Sequence, residues 1–288
     1  MVNFIDRFIE ITEKIVDSPR EFIEGAALSL ISSTLGRFHV IQKSRGKHPQ
    51  TFIVLCSAPG IGRRGELNKC YNIVLKSAIY TYVKQKFVKE EEVKKQYAAE
   101  KRAMFLEGGS EQGLIDIIEE LKDKGVRGFL LNASEFGSIL DSIRTGGYMH
   151  GLNKLFCKLW SEEFKIEDFS HRDPRKPQAR VLREGTYFCI MGYMQKAEDY
   201  LVEEMSKVGL LRRLLIIDKK GTEMDRFLPA ISEEYDAHVK QLKELGSDIG
   251  KRMYELSEGC KTEKTDTLDG PLPCLEVIMN GDVKDEIN

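Results

Sequence analysis

Residues 51–67 read T-F-I-V-L-C-S-A-P-G-I-G-R-R-G-E-L: an apolar run, a Pro-Gly-x-Gly turn and the start of a helical pattern. That order suits an anion. A helix N-terminus offers free backbone N–H groups and the positive end of its dipole, and glycines let the backbone wrap around the charge. Ser57, Pro59, Gly60, Gly62, Arg63, Arg64 and Gly65 are therefore the candidate nucleotide-binding residues. Against the pattern G-x-x-x-x-G-K-[ST], Gly62 as the second glycine puts Ser57 at the first, Arg63 at the lysine and Arg64 at the hydroxyl residue. A shift of one residue brings in Ala58 and Gly65. Neither register supplies a lysine or a hydroxyl for magnesium. Guanidinium forks neutralise phosphate bidentately but do not ligate Mg²⁺. The loop reads as a phosphate site that turns over ATP, as one that binds without turnover, or as a relic turn or nucleic-acid phosphate contact.

A second group stands after residues 126–131, V-R-G-F-L-L, which read as a buried strand followed by Asn132-Ala133-Ser134-Glu135. Ligands of open α/β sheets bind at such carboxyl ends. A glycine loop after one strand and a carboxylate after the next strong strand imply a nucleoside-triphosphatase type of site between neighbouring strand ends. Glu135 is the candidate base. Asn132 and Glu135 also have the spacing of a capping box ahead of a helix at Phe136, and both readings hold together. A third group is cationic: Arg172, Arg175, Lys176, Arg180 and Arg183, with His171 beside them. Several cations on one irregular segment suit a nucleic-acid backbone, or form a solvated loop. The five histidines are scattered, and none is assigned to a metal.

The elements that must hold these groups alternate between strand and helix. Residues 3–17 form an amphipathic helix with Phe4, Phe8, Ile11 and Ile15 on one face. Ser18-Pro19-Arg20-Glu21 opens a second helix to about Leu35, with Ser18 as cap, Pro19 in the first turn and Glu21 closing a capping box. Residues 38–42 form a strand. Residues 67–105 are helical throughout, apolar on one face at first and heavily charged from Lys84. Ser110 caps a helix over 111–124 that ends at Gly125. Helices over 135–143, 153–160 and 197–207, strands over 186–191, 214–217 and 275–279, and a long helix over 227–258, kinked near Gly246 and Gly250, complete the pattern. Near-continuous apolar strands between helices imply a mostly parallel sheet covered on both faces. The expected division is an N-terminal helical element at 1–36, an α/β core at 37–220, and a C-terminal helix and linker at 221–288. The last eight residues read as a helix start, so the natural chain is expected to continue.

Composition narrows the function classes. The 288 residues carry 44 basic and 46 acidic side chains, so any nucleic-acid surface must be local. The longest apolar runs fall short of the roughly 20 residues a membrane helix needs. Residues 1–17 carry acids, unlike a signal peptide. The six cysteines show no C-x-x-C and read as buried free thiols of a reducing, cytoplasmic compartment.

Six blocks in order resemble the P-loop ATPases of plasmid, phage and archaeal mobile elements. These are primase-helicase-associated domains similar to AAA+/RecA-related replicative helicases. The blocks are P-R-E-F-I-E-G-A-A-L-S-L-I-S at 19–32, I-V-L-C-S-A-P-G-I-G-R-R at 53–64, G-S-E-Q-G-L-I-D-I-I at 109–118, F-L-L-N-A-S-E-F-G-S-I-L at 129–140, Y-F-C-I-M-G-Y at 187–193 and G-L-L-R-R-L-L-I at 209–216. They span about two-thirds of the chain. The resemblance implies a P-loop fold, ATP with Mg²⁺ as cofactors, DNA and a primase or other replication protein as partners, and a homo-oligomer. Residues 59–64 would be the Walker A loop. Ser134-Glu135 would stand at the Walker B acids, with Glu135 polarising the attacking water. The end of strand 186–191 would be the sensor position, and the basic loop would reach a central pore. Arg213 would reach nucleotide from its own or a neighbouring subunit, the alternative being a surface charge. The departures are the missing lysine and Ser/Thr in Walker A, Asn132 or Ser134 in place of aspartate, and Gly192-Tyr193 at the sensor. The implied activity is that of an ATP-binding, DNA-associated helicase or translocase in replication or maintenance of a mobile element or virus. The alternative is an inactive pseudo-ATPase that binds nucleic acid or serves assembly.

Overall fold

Four parallel strands, β2 (Phe52–Ser57), β3 (Gly128–Ala133), β4 (Tyr187–Met194) and β5 (Leu215–Lys219), form one sheet in the order β3-β4-β2-β5. The computed structural model describes residues 3–41, 49–59, 62–106, 109–145, 151–161, 186–195, 209–219, 233–259 and 275–277. The expected helix at 197–207, the polar linker after 259, the terminal helix start, Gly60 and the basic cluster at 171–183 lie outside the described residues. A coarse α/β class with a parallel sheet flanked by helices is what the sequence implies and what the chain forms.

Every residue of β2 is buried. Side chains alternate across a strand, so Ile53, Leu55, Cys189 and Met191 enter one apolar layer, and Phe52, Val54, Phe188 and Ile190 the other. The first layer is closed by α1 (Phe4–Thr12), α2 (Arg20–Leu35), α3 (Arg64–Lys86) and a long C-terminal helix, α8 (Glu233–Gly259). The second is closed by α5 (Glu111–Lys122), α6 (Phe136–Arg144) and α7 (Leu152–Ser161). Burial of each large apolar side chain stabilises the fold by roughly 1.5–3 kcal/mol, which is why the apolar run from Phe52 to Cys56 forms an interior strand. A separate pair, β1 (His39–Ile41) and β6 (Leu275–Val277), runs parallel. Among the described residues no helix is long and apolar enough to cross a membrane.

Four expectations change. The glycine-loop strand β2 and the carboxylate strand β3 are not neighbours, because β4 lies between them. At the usual strand spacing this sets them about 10 Å apart. The single helix expected over 67–105 is two: α3 ends at Phe87, whose backbone is extended at φ −122°, and α4 (Glu90–Ala103) begins anew. The break has a charge signature. Lys84 and Lys86 sit in the last turn of α3, and Glu90, Glu91 and Glu92 in the first turn of α4, each matched to its own helix dipole. Inside the corner, Arg37 bonds Glu100 at 3.0 Å with both side chains buried, and its guanidinium lies 5.0 Å and 5.2 Å from the Phe38 and Tyr82 rings. Ser18 does not cap α2: Pro19 holds the cap position with no side-chain bond.

The fourth change concerns Gly246 and Gly250: α8 is one unbroken α-helix through both. They let it lie against α3. A methyl group on Gly246 would stand 2.4 Å from the Val74 carbonyl oxygen, and one on Gly250 2.4 Å from that of Ala78. Ser77 sits between them and donates to the Lys243 carbonyl at 2.7 Å.

This packing and burial have two measurable outcomes. Alanine at Gly246 or Gly250 gains up to about 1 kcal/mol of helix propensity but meets a backbone oxygen that cannot move aside, a cost of roughly 1–3 kcal/mol. Each variant should therefore unfold at lower urea with an unchanged slope, and a higher midpoint would refute the close packing. Burial pushes the Cys70 thiol and the Tyr71 phenol up to about 12 each. Both groups hold their protons more tightly folded than unfolded. Stability should hold below about pH 9 and fall as pH rises towards 12, and C70A should flatten that fall.

Candidate phosphate site at the carboxyl edge of the sheet

The loop leaving β2 turns into α3 through Gly62 and Arg63. No side chain fits at Gly62: a methyl group there would lie 2.6 Å from Ser57 Oγ and 2.7 Å from Phe22 Cε2. Its carbonyl is held from the other side by Ser18 Oγ, which donates at 2.9 Å. Arg63 is left-handed at φ 40°, ψ 36°, unusual for a residue with a Cβ. Its carbonyl accepts the N–H groups of Glu66 at 3.0 Å and Leu67 at 3.1 Å. Within the helix no carbonyl stands in position for the N–H groups of Arg64 and Gly65. Both residues line a shallow cavity of about 350 Å³, together with Gly62, Arg63, Glu66 and Lys69. Three of its side chains are cationic and one is a carboxylate. That carboxylate, Glu66, lies 4.0 Å from Arg63, and both side chains are about half exposed, so the pair leaves the field largely positive.

Polar atoms lie on the face of the sheet that α3 covers. Ser57 Oγ is buried and has no hydrogen-bond partner. The Tyr193 hydroxyl, at the end of β4, is likewise buried and unpartnered. Burial pushes its phenol far up and Tyr71 adds to that, while the charge of Arg64 opposes them. The phenol therefore stays protonated. Asn132 Nδ2 donates to Asn68 Oδ1 at 3.1 Å and Asn72 Oδ1 at 3.4 Å, tying β3 to α3, and its own Oδ1 is buried without a partner.

Most of the sequence-derived residues described in the structure meet at this edge. Ser57, Pro59, Gly62, Arg63, Arg64 and Gly65 form the loop and the helix start. Ser134 and Glu135 are exposed just beyond the end of β3, two strands away. Glu135 is itself the cap residue of α6, and its carbonyl accepts the Ser138 N–H at 3.1 Å. The capping-box reading with Asn132 is thus corrected: Asn132 belongs to β3 and bonds α3. Arg213 is not brought here. It sits ahead of β5, donating to the Gly209 carbonyl at 2.8 Å and Ser161 Oγ at 3.4 Å. Leu215 is level with Ile53 and Lys219 with Ser57, so Arg213 stands roughly 20 Å from its own phosphate loop. A role on nucleotide would require the loop of another subunit. The sensor position also shifts, because β4 runs past Gly192 and Tyr193 to Met194.

Sequence reasoning missed Asn68, Asn72 and Lys69, took Ser18 for a helix cap, and met Tyr193 only as a departure at the sensor position. Asn68 and Asn72 left one trace, a polar pair four residues apart beside the apolar stripe of Leu67, Tyr71, Val74 and Leu75.

The residues suit a polyphosphate such as that of ATP: an open helix start, a glycine no side chain can replace, and three cations. They do not suit magnesium. That ion takes hard oxygen ligands, usually carboxylates together with phosphate. Here the one carboxylate lining the cavity, Glu66, faces Arg63, the other oxygens on this face of the sheet are two neutral hydroxyls and an amide, and Arg64 stands where a hydroxyl would. Among the described residues no three His, Cys, Asp or Glu side chains come together as a metal cluster.

Comparison with known protein families, curated proteins and solved structures gives no match.

The Ser18 bond to Gly62 has a measurable role. Ser18→Ala should cost about 1 kcal/mol and free the loop, so trypsin should cut after Arg63 or Arg64 several-fold faster in the folded protein. Cleavage at the wild-type rate would show that the bond does not restrain the loop.

Proposed function

We propose that this chain is an ATP-binding, DNA-associated ATPase of helicase or translocase type, serving replication or maintenance of a mobile element or virus. One observation carries the reading: a cationic cavity on the N-terminus of α3, at the carboxyl end of a central parallel strand, with Glu135 on the same edge. The interposed strand β4 supports it further. About 10 Å between β2 and β3 leaves room for a terminal phosphate and a water between the cations and the carboxylate. In such a site Arg63 and Arg64 neutralise developing charge, and Glu135 orients the water. Arg213 acts across a subunit boundary in a homo-oligomer. DNA engages the cations at 172–183, and a primase or other replication protein is the expected partner.

A second reading is favoured by the same edge. The Gly62 carbonyl is held by Ser18, the magnesium hydroxyl is replaced by Arg64, and Asn132 offers an amide in place of a carboxylate. A fold that kept its phosphate contacts and lost turnover would have this appearance. It would act as a nucleic-acid-binding or assembly protein.

Phosphate release from ATP, with and without DNA, separates the two. The ATPase reading expects DNA-stimulated release, abolished in R63A/R64A and reduced about a hundredfold or more in E135Q. No release, together with DNA affinity that falls steeply with salt and ignores ATP, would establish the second reading. Binding of neither ATP nor DNA would sink both.

A further inference from the structure

We infer that the phosphate loop takes its ligand free of divalent metal, with Arg63, Arg64 and Lys69 in the place of the cation and Ser57 Oγ as a donor inside the loop. The inference rests on the phosphate reading of that loop and adds the ionic form of the ligand: uncomplexed pyrophosphate or the polyphosphate of a nucleotide.

Charge is the first line of support. Magnesium cancels part of a polyphosphate's negative charge, the charge that the two guanidinium groups and the ammonium of this rim would otherwise meet. The carboxylate lining that rim, Glu66, faces Arg63. Glu135 stands two strands away and exposed, and the groups on the sheet below add no charge. Ser57 and Tyr193 are hydroxyls, Tyr193 stays protonated, and Asn132 uses its NH₂ on Asn68 and Asn72. A bare polyphosphate meets the opposite situation. Its oxygens find N–H groups at the start of α3, guanidinium forks that bind two oxygens at once, and an unused hydroxyl.

Ser57 is the second, independent line. Its Oγ is buried, has no partner, and faces Gly62 from inside the turn. A buried hydroxyl without a bond is destabilising. At most core positions valine or alanine would serve better. A hydroxyl kept at the carboxyl end of β2, against the glycine that lines the cavity, finds its bond when an anion arrives.

Calorimetric titration of the full chain with ATP and with inorganic pyrophosphate, in EDTA and in excess magnesium, tests this. Binding in EDTA should be at least as tight as in magnesium, and several-fold tighter for pyrophosphate, because complexation removes the charge the arginines read. Ser57→Ala should weaken pyrophosphate in EDTA by about tenfold, the value of one hydrogen bond to a charged group, while the melting temperature stays level or rises. Affinity that appears only with magnesium overturns the metal-free inference and leaves the phosphate reading intact. An unaltered affinity in Ser57→Ala removes the donor role. Binding in neither condition overturns both the inference and the phosphate reading.

Discussion

Strand β2 is hydrogen-bonded along both edges, to β4 and β5, and covered on both faces by apolar layers. Its backbone groups and side chains are all spent on the interior. The chain leaving it must turn outward at the carboxyl end, where polar atoms find space. The helix across its first face is fixed by the same demand. Gly25 of α2 lies within van der Waals range of Ile217 and Leu55, so close that a methyl group there would stand 2.5 Å from Ile217 Cδ1. That approach brings the amino end of α2 to the carboxyl edge of the sheet. Ser18 then reaches Gly62, and Glu21 reaches Lys219 at 3.0 Å. Glu21 is held below the usual carboxylate range by its own backbone N–H first and by Lys219 second.

Buried polar groups are almost always paired, since each unpaired one costs about 1–3 kcal/mol. Elsewhere in the interior most such groups obey this. Tyr71 bonds Ser29, Tyr187 bonds the carbonyl of Ser32, and Gln50 bonds the carbonyls of Leu159 and Trp160. Ser57, Tyr193 and the Asn132 oxygen depart from the rule at the ends of three strands, on one edge. Thr12, Thr51 and two nitrogens of Arg37 depart from it elsewhere. The three strand-end atoms differ in sharing one face of the sheet, the face that α3 covers.

Much of the fold was legible because it rests on local pattern. The apolar runs at 52–56, 129–131 and 187–191 are interior strands, and Ser110 caps α5 by accepting the Gly113 N–H at 3.1 Å. The turn through Gly62 and Arg63 into a helix was legible for the same reason. The readings that failed depend on distant partners. Ser18-Pro19-x-Glu21 has the form of a capping box, but the Ser18 hydroxyl is worth more on a buried carbonyl 44 residues away. Asn132 has the spacing of a cap, but the parity of β3 turns its side chain towards α3. The insertion of β4 between β2 and β3 leaves no local mark, because strand order is set by crossovers rather than by any one segment. The glycines of α8 carry no local mark of the helix whose approach they admit.

That neighbour, α3, ties the fold to the site. Its first turn presents the N–H groups and cations, its second bonds Asn132 of β3 through Asn68, and its middle turns are locked to α8 at Gly246 and Gly250. A helix held at successive turns by a sheet and a second helix cannot roll or slide without breaking backbone-to-backbone contact. Anion recognition by N–H groups and forked guanidinium groups is steep in distance and angle. Binding is strongest when that geometry exists before the ligand arrives. Small residues far from the cavity, Ser77, Gly246 and Gly250, therefore contribute to the site by fixing the helix that carries it.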